Sequence, residues 1–206
     1  MPAPTGSPPL DLGFRRDHDG NVASVAQAMS AIRRQDFLPP DQRALAGRDR
    51  PLPIGRGQTN SQPRTVAAML RLLEVRPGDR VLDVGAGSGW TTALLAHLTG
   101  EQGSVTGVEL VPELATWGAE NLGKAAYPHA SIRPALPGVL GWPEAAPYDR
   151  ILVSAEARGM PAQLVDQLAE GGRIVVPVRS TMTLGIRRGT ELETSEHGSY
   201  RFVPLL

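Results

Sequence analysis

Apolar and polar positions change period several times along the chain. Val22, Val25, Ala26, Met29 and Ile32 recur at helical spacing behind a capping Asn21, and the pattern ends near Arg34. Positions 35–60 hold many Pro and Gly and little periodicity; so long an irregular stretch in a compact domain more often serves function than connection. Ser61 is a good N-cap for a helix through Leu73, with Pro63 in its first turn and Val66, Met69, Leu70 and Leu73 facing inward. Pro77-Gly78 then turns the chain into an alternating apolar strand that ends at Val84, and Thr91 to Leu98 follows with helical spacing.

Further on, Ser104 to Val108 reads as a strand, Pro112 to Lys124 as a helix and Ala130 to Arg133 as a short strand. Ile151-Leu152-Val153-Ser154 reads as a fully buried strand. A helix near Pro161 to Leu168 and a strand from Arg173 to Val178 come next. Met182 to Arg188 and Tyr200 to Leu205 are expected as closing antiparallel strands. Strands alternating with helices, then a β-rich end, predict an α/β fold. Its sheet would be doubly wound and mostly parallel, with helices on both faces and antiparallel C-terminal strands.

The stretch from Arg80 to Trp90 carries the first chemistry. An apolar strand runs into Gly85-Ala86-Gly87-Ser88-Gly89, where glycines let the backbone approach a ligand and take φ/ψ values that a Cβ forbids. Glu109 ends the next strand, where an acid is placed to hold both hydroxyls of a ribose. Together these residues point to an adenosine-containing cofactor. A dinucleotide site wants G-x-G-x-x-G; here the pattern is G-x-G-x-G, with Asp83 two residues before it. A carboxylate there would repel a pyrophosphate and suits the ammonium of a methionine moiety, so S-adenosylmethionine is favoured over NAD. Glycines that only shape a turn would not explain both acids.

Bulk properties narrow the classes. The 206 residues fit one α/β domain with extensions: a flexible tail at 1–20, then a single domain at 21–206 whose 21–75 extension carries a substrate loop. Lys+Arg and Asp+Glu both number 21, so nothing electrostatic argues for nucleic acid or a membrane surface. The absence of cysteine removes disulfides, thiol nucleophiles and thiolate metal sites, and suits a cytoplasmic protein. No apolar run approaches the ~20 residues of a membrane span, the N-terminus lacks the apolar core of a secretory signal, and the four histidines show no ligand spacing, so no metal is expected.

Pro51-Leu52-Pro53-Ile54-Gly55-Arg56-Gly57-Gln58-Thr59-Asn60-Ser61-Gln62-Pro63 makes the pattern specific. This run resembles the signature loop of the protein-L-isoaspartate O-methyltransferase family, in which Gln-Thr-x-Ser-x-Pro precedes the first sheet helix. The resemblance continues through Val81 to Gly89, Ala146 to Asp149, Gly171 to Val178 and Arg201 to Leu205, in order over about residues 30–206. It implies a Rossmann-like fold, S-adenosyl-L-methionine as cofactor with S-adenosyl-L-homocysteine as product, and methylation of the free carboxylate of isoaspartyl residues in aged peptides or proteins. A monomer is expected.

The resemblance also distributes roles. Ser61 matches the active-site serine, and Gln58, Thr59, Asn60 and Ser61 line the junction of cofactor and peptide. Asp83, Gly85, Gly87 and Gly89 match the glycine loop, Glu109 the ribose-binding acid, with Leu110 beside the adenine and Gly138 in the loop that reaches it. Ile54, Gly55, Val203, Pro204 and Leu205 fall on the peptide side. Three positions depart from the pattern. Leu136-Pro137-Gly138 stands for a common Gly-Asp-Gly, Asn60 for a usual Ile, and Gly47 for a common aromatic.

The chemistry asks little of the protein, since a carboxylate is already ionised near pH 7 and needs no base. Ser61 is expected to align the carboxylate while capping the helix behind it, because a helix N-terminus also favours an anion. Trp90, Trp117 and Trp142 read as packing residues, Trp142 with a place against the adenine face. Asp149 reads as a turn residue, and Arg188 and Arg201 as solvated strand residues. Two other functions fit the same residues: methylation of a carboxylate in another peptide or small molecule, and a non-catalytic cofactor-binding module. Joint retention of Ser61, Asp83 and Glu109 weighs against the second.

Overall fold

Continuous apolar runs form the centre of one sheet in a computed structural model that describes residues 24–205. The expected tail at 1–20, and Asn21 and Val22 of the first helix, lie outside the described residues. The first helix, α1 (Val25–Ala31), is closed by a Ser24/Gln27 capping box. Two short 3-10 turns, Arg34–Phe37 and Pro40–Leu45, lead to an antiparallel hairpin of β1 (Leu52–Gly55) and β2 (Gln58–Asn60). The stretch with little periodicity is therefore ordered by turns and one hairpin, both of which tolerate its Pro and Gly.

From α2 (Pro63–Leu73) onward, strands and helices alternate through β3 (Arg80–Val84), α3 (Trp90–Thr99), β4 (Ser104–Glu109), α4 (Pro112–Lys124) and β5 (Ala130–Pro134). Then come β6 (Tyr148–Val153), a four-residue α5 (Ala162–Val165), β7 (Leu168–Val178), β8 (Thr181–Arg188) and β9 (Glu191–Ser199). The sheet has seven strands in the order β5-β4-β3-β6-β7-β8-β9. Pairings from β5 to β7 are parallel, and β8 and β9 close it antiparallel.

Side chains on opposite faces of each strand feed two cores. Val81, Val105, Leu152 and Val175 pack with residues of α1 to α4, whereas Leu82, Val108, Ile151 and Val176 pack with Leu164 of α5 and the segment around Trp142. Helices cover both faces, but the second is covered mostly by loops. The predicted last strand moves: β9 is Glu191–Ser199, and Tyr200–Leu205 makes only an isolated parallel bridge, Glu156 with Pro204. β9 is almost wholly exposed, so the apolar alternation that marks a half-buried strand is absent there. Likewise the helix expected near Pro161 to Leu168 shortens, because β7 begins at Leu168. Among the described residues no helix is long and apolar enough to cross a membrane.

Helix α4 lies against the glycine turn at Gly118. A Cβ there would stand 2.5 Å from the Gly87 carbonyl oxygen and 3.2 Å from Ile132 Cδ1, whereas a Cβ at Gly123 on the same helix meets nothing within 4 Å. Gly118→Ala is expected to cost about 1–3 kcal/mol through overpacking. Gly123→Ala should be neutral or stabilising by up to about 1 kcal/mol, because it only restricts the unfolded chain. Denaturant midpoints of the two variants check both signs.

Candidate functional site

Strands β4 and β6 leave β3 on opposite sides, so their C-terminal ends open a crevice at the reversal of strand order. A cavity of about 570 Å³ occupies it, lined by Val84, Gly85, Val108, Glu109 and Ser154 at the strand ends. That volume suits a small-molecule site.

The glycine turn and Glu109 form one unit. The amides of Gly85 and Ala86 both donate to the Val108 carbonyl, tying the turn to β4. Gly87 has a φ of 52°, and its amide donates to Glu109 Oε2 at 2.8 Å, while the Val111 amide donates to Oε1 at 2.9 Å. Glu109 is only 7% exposed. Each of its oxygens keeps a second acceptor position, so the carboxylate can also take two hydroxyls. Leu110 and Leu136, both exposed large apolar residues, stand at the rim, and Pro137 and Gly138 continue the same wall.

Asp83 does not reach the cavity. It is fully buried, its Oδ2 accepts from Thr92 Oγ1 at 2.7 Å, and Oδ1 has no partner. Burial pushes its pKa up to about 6 against the Thr92 and Thr91 hydroxyls, with the Glu109 charge adding to the rise. The expected direct contact of Asp83 with a ligand ammonium is therefore corrected: its carboxylate lies behind the turn, at the start of α3. Gly89 is also behind it, as N-cap of α3, where a Cβ would meet the Gly118 carbonyl oxygen at 2.8 Å. Gly55 sits exposed in the hairpin, outside the cavity wall, although Ile54 lines it.

The opposite wall comes from Gln58, Thr59, Asn60 and Ser61. Arg34, 6% exposed, shapes it. Its guanidinium donates to Asn60 Oδ1 at 2.7 Å and to the carbonyls of Ala46, Arg48, Arg50, Asn60 and Ser61, and stacks over Trp90. Burial lowers its pKa to about 10, with the Asp49 charge acting the other way, so it stays charged at neutral pH. Gly47 lies in the gathered loop, with nothing within 4 Å of a Cβ.

Ser61 is not the cap of α2. Gln62 holds that position, Pro63 starts the helix, and Asp49 reaches in from the loop to accept from the Arg64 amide at 3.0 Å. That bond is the main reason the Asp49 carboxyl lies below its ordinary pKa. Among the described residues the Ser61 hydroxyl makes no hydrogen bond, which leaves it free at the cavity wall. Val203, Pro204 and Leu205 line the third side. The Glu156 amide donates to the Val203 carbonyl at 2.7 Å and the Leu205 amide to the Glu156 carbonyl at 2.8 Å.

Trp142 lies outside the cavity wall, in the second core with the Arg133 guanidinium over its ring, so its expected place against an adenine is corrected. Trp90 is core, and Trp117 packs with Leu38 and Leu52. Asp149 lies within β6 and accepts from the Arg80 amide, and Arg201 is exposed but outside any strand. Sequence reasoning missed Arg34, Asp49 and Ser88. The acceptors of Arg34 lie 12 to 27 positions downstream, so no local spacing marks it.

The model of the family Protein-L-isoaspartate(D-aspartate) O-methyltransferase matches residues 15–206. The chain belongs to this family. A protein-L-isoaspartate O-methyltransferase of Methanopyrus kandleri is 46% identical over 95% of this chain and 86% of its own length. A solved protein-L-isoaspartate O-methyltransferase superposes with a TM-score of 0.80 at 27% identity, over 88% of this chain and 60% of that longer one. Another, described as a putative protein-L-isoaspartate O-methyltransferase from Plasmodium falciparum in complex with S-adenosyl-L-homocysteine, gives a TM-score of 0.77 at 28% identity. It covers 88% of this chain and 89% of its own.

Two predictions follow from the acids of this family member. Glu109→Gln replaces one acceptor oxygen by an amide that faces an N–H donor. S-adenosylhomocysteine affinity should fall by about 1.5–3 kcal/mol, the range for a hydrogen bond to a charged group, as calorimetry would read it. Asp83 concerns stability. Its folded-state pKa lies above that of an unfolded Asp, so its contribution is full below about pH 4 and is lost as pH rises through about 6. Asp83→Asn stays neutral throughout. Its melting temperature minus that of the wild type should therefore be larger at about pH 7.5 than at about pH 4.5.

Proposed function

We propose that this chain uses S-adenosyl-L-methionine to methylate the free carboxylate of L-isoaspartyl residues in damaged peptides or proteins, the first step of their repair. Family membership supports the reaction and the substrate class. The observation that carries the site assignment is the Ser61 hydroxyl, without a hydrogen bond among the described residues, on the wall of the cavity that Glu109 and the glycine turn also line.

The cofactor supplies a methyl on a positively charged sulfur, open to attack by a carboxylate oxygen. Glu109 is suited to the ribose because its two oxygens are held apart by the Gly87 and Val111 amides and still accept. Leu110, Leu136 and Gly138 would flank the adenine, in a loop where Pro137 offers no carboxylate. Ser61 would donate to one oxygen of the substrate carboxylate and hold the other towards the methyl. Catalysis is then alignment of an already ionised nucleophile, and no side chain has to remove a proton. Ile54 and Val203 to Leu205 would close the peptide side and keep water out. The remaining assignments are ours as well: a single domain whose segment up to residue 75 carries the substrate loop, a monomer, and a cytoplasmic protein without nucleic-acid partners.

The deciding experiment is methyl transfer to an isoaspartyl peptide beside its aspartyl twin. Transfer to the first alone is the expected result; transfer to neither, or equally to both, overturns the assignment. Ser61→Ala should lower kcat about ten- to hundredfold, the worth of a hydrogen bond to a charged group. Cofactor affinity should be nearly unchanged. The helix cap lies elsewhere, so stability should move by no more than about 0.5 kcal/mol. Wild-type turnover in this variant would reduce Ser61 to a bystander.

A further inference from the structure

Asn60 stands where the family resemblance leads one to expect Ile, and its side chain is 5% exposed. Burying an amide without partners is costly, so its bonds are informative. Oδ1 accepts from Arg34 Nε at 2.7 Å, and Nδ2 donates to Ser88 Oγ at 3.0 Å. Ser88 belongs to the glycine turn and is itself 3% exposed; its carbonyl accepts from Asn121 Nδ2 of α4 at 3.2 Å. Arg34 meanwhile holds the carbonyls of Asn60 and Ser61 at 3.0 and 2.9 Å. One chain of hydrogen bonds thus runs from Arg34 through Asn60 and Ser88 to Asn121, linking the substrate loop, the cofactor turn and α4.

We propose that Asn60 is a positioning residue, whose side chain registers the Ser61 loop against the cofactor's glycine turn. This rests on the assignment of Ser61 and the turn made above. Both ends of the amide are used by protein groups, so Asn60 acts through Arg34 and Ser88 and need not touch either reactant. An apolar side chain of the same shape would fill the space but leave Arg34 Nε and the Ser88 hydroxyl without these partners. The two walls would then be free to shift, which methyl transfer, depending on alignment, should register as lost turnover.

Four variants of the full chain test this: Asn60→Leu, Asn60→Asp, Ser88→Ala and the Asn60→Leu/Ser88→Ala double. Asn60→Leu should lower kcat for isoaspartyl peptide about tenfold or more, with peptide KM within about threefold. Asn60→Asp should recover most of the turnover lost in Asn60→Leu, because its two oxygens can accept from both Arg34 and the Ser88 hydroxyl. S-adenosylhomocysteine affinity, read by calorimetry, should fall about threefold or more in Asn60→Leu and in Ser88→Ala. The double should fall no further than the worse single, as expected of residues acting through one contact. Wild-type kcat in folded Asn60→Leu, equal damage in Asn60→Asp, or affinity losses that multiply would overturn the proposal. If Asn60→Leu does not fold, Ser88→Ala decides instead: unchanged affinity would overturn it, and a loss supports it. The affinity measurements need no peptide. Failure of wild type to methylate isoaspartyl peptide would therefore count against the function, while this coupling would still be measured.

Discussion

A carboxylate that binds two backbone amides from different segments is a strong constraint on local geometry. Glu109 does this at the tip of β4, with Gly87 on one oxygen and Val111 on the other. Charge-assisted bonds of this type are short and directional. They set the path of the glycine turn, the entry into α4 and the direction of the acceptor positions left over. The cavity takes its shape from that junction. Close contact of Gly118 with the turn adds a steric limit from the opposite side.

The second wall is organised by a different constraint. A buried guanidinium has five N–H groups to satisfy, and Arg34 satisfies them on carbonyls from 46–50 and 60–61 plus the Asn60 side chain. The segment has little hydrophobic pattern of its own. It is ordered because a single cation draws its carbonyls inward, with Leu38, Leu52 and Ile54 supplying a small apolar core alongside. Loop and hairpin are thereby held in place without long regular elements.

Local signals were readable where one residue type answers one need. The run from Arg80 to Leu98 announced strand, turn and helix, and Glu109 could be placed because the end of a strand follows from its apolar period. Signals failed where the partner is distant or the period is absent. β9 is exposed on nearly every residue, so its backbone pairing with β8 leaves no apolar mark. Tyr200 to Leu205 is apolar but spends that character on the core and the cavity rim, which imitates a strand. Ser61 reads as a cap because serine before a helix usually is one; Gln62 takes that position instead, and the distant Asp49 accepts from the Arg64 amide. Asp83 was readable as an acid before a glycine turn, but whether it faced the ligand or the core depended on α3 packing over it.

Asp49 has one more effect. The amino end of a helix carries a partial positive charge that attracts anions over short range. At α2 this end already has a resident anion, bonded to the Arg64 amide and paired with the Arg64 guanidinium at 3.2 Å. An incoming carboxylate therefore meets a helix end whose Arg64 amide is already occupied. On the proposed role of Ser61, recognition of that carboxylate would be a matter of contact, a hydroxyl within bonding reach, more than of attraction by the helix end. A site built this way would discriminate by where the charge sits on its backbone, one bond nearer or farther, more than by negative charge as such.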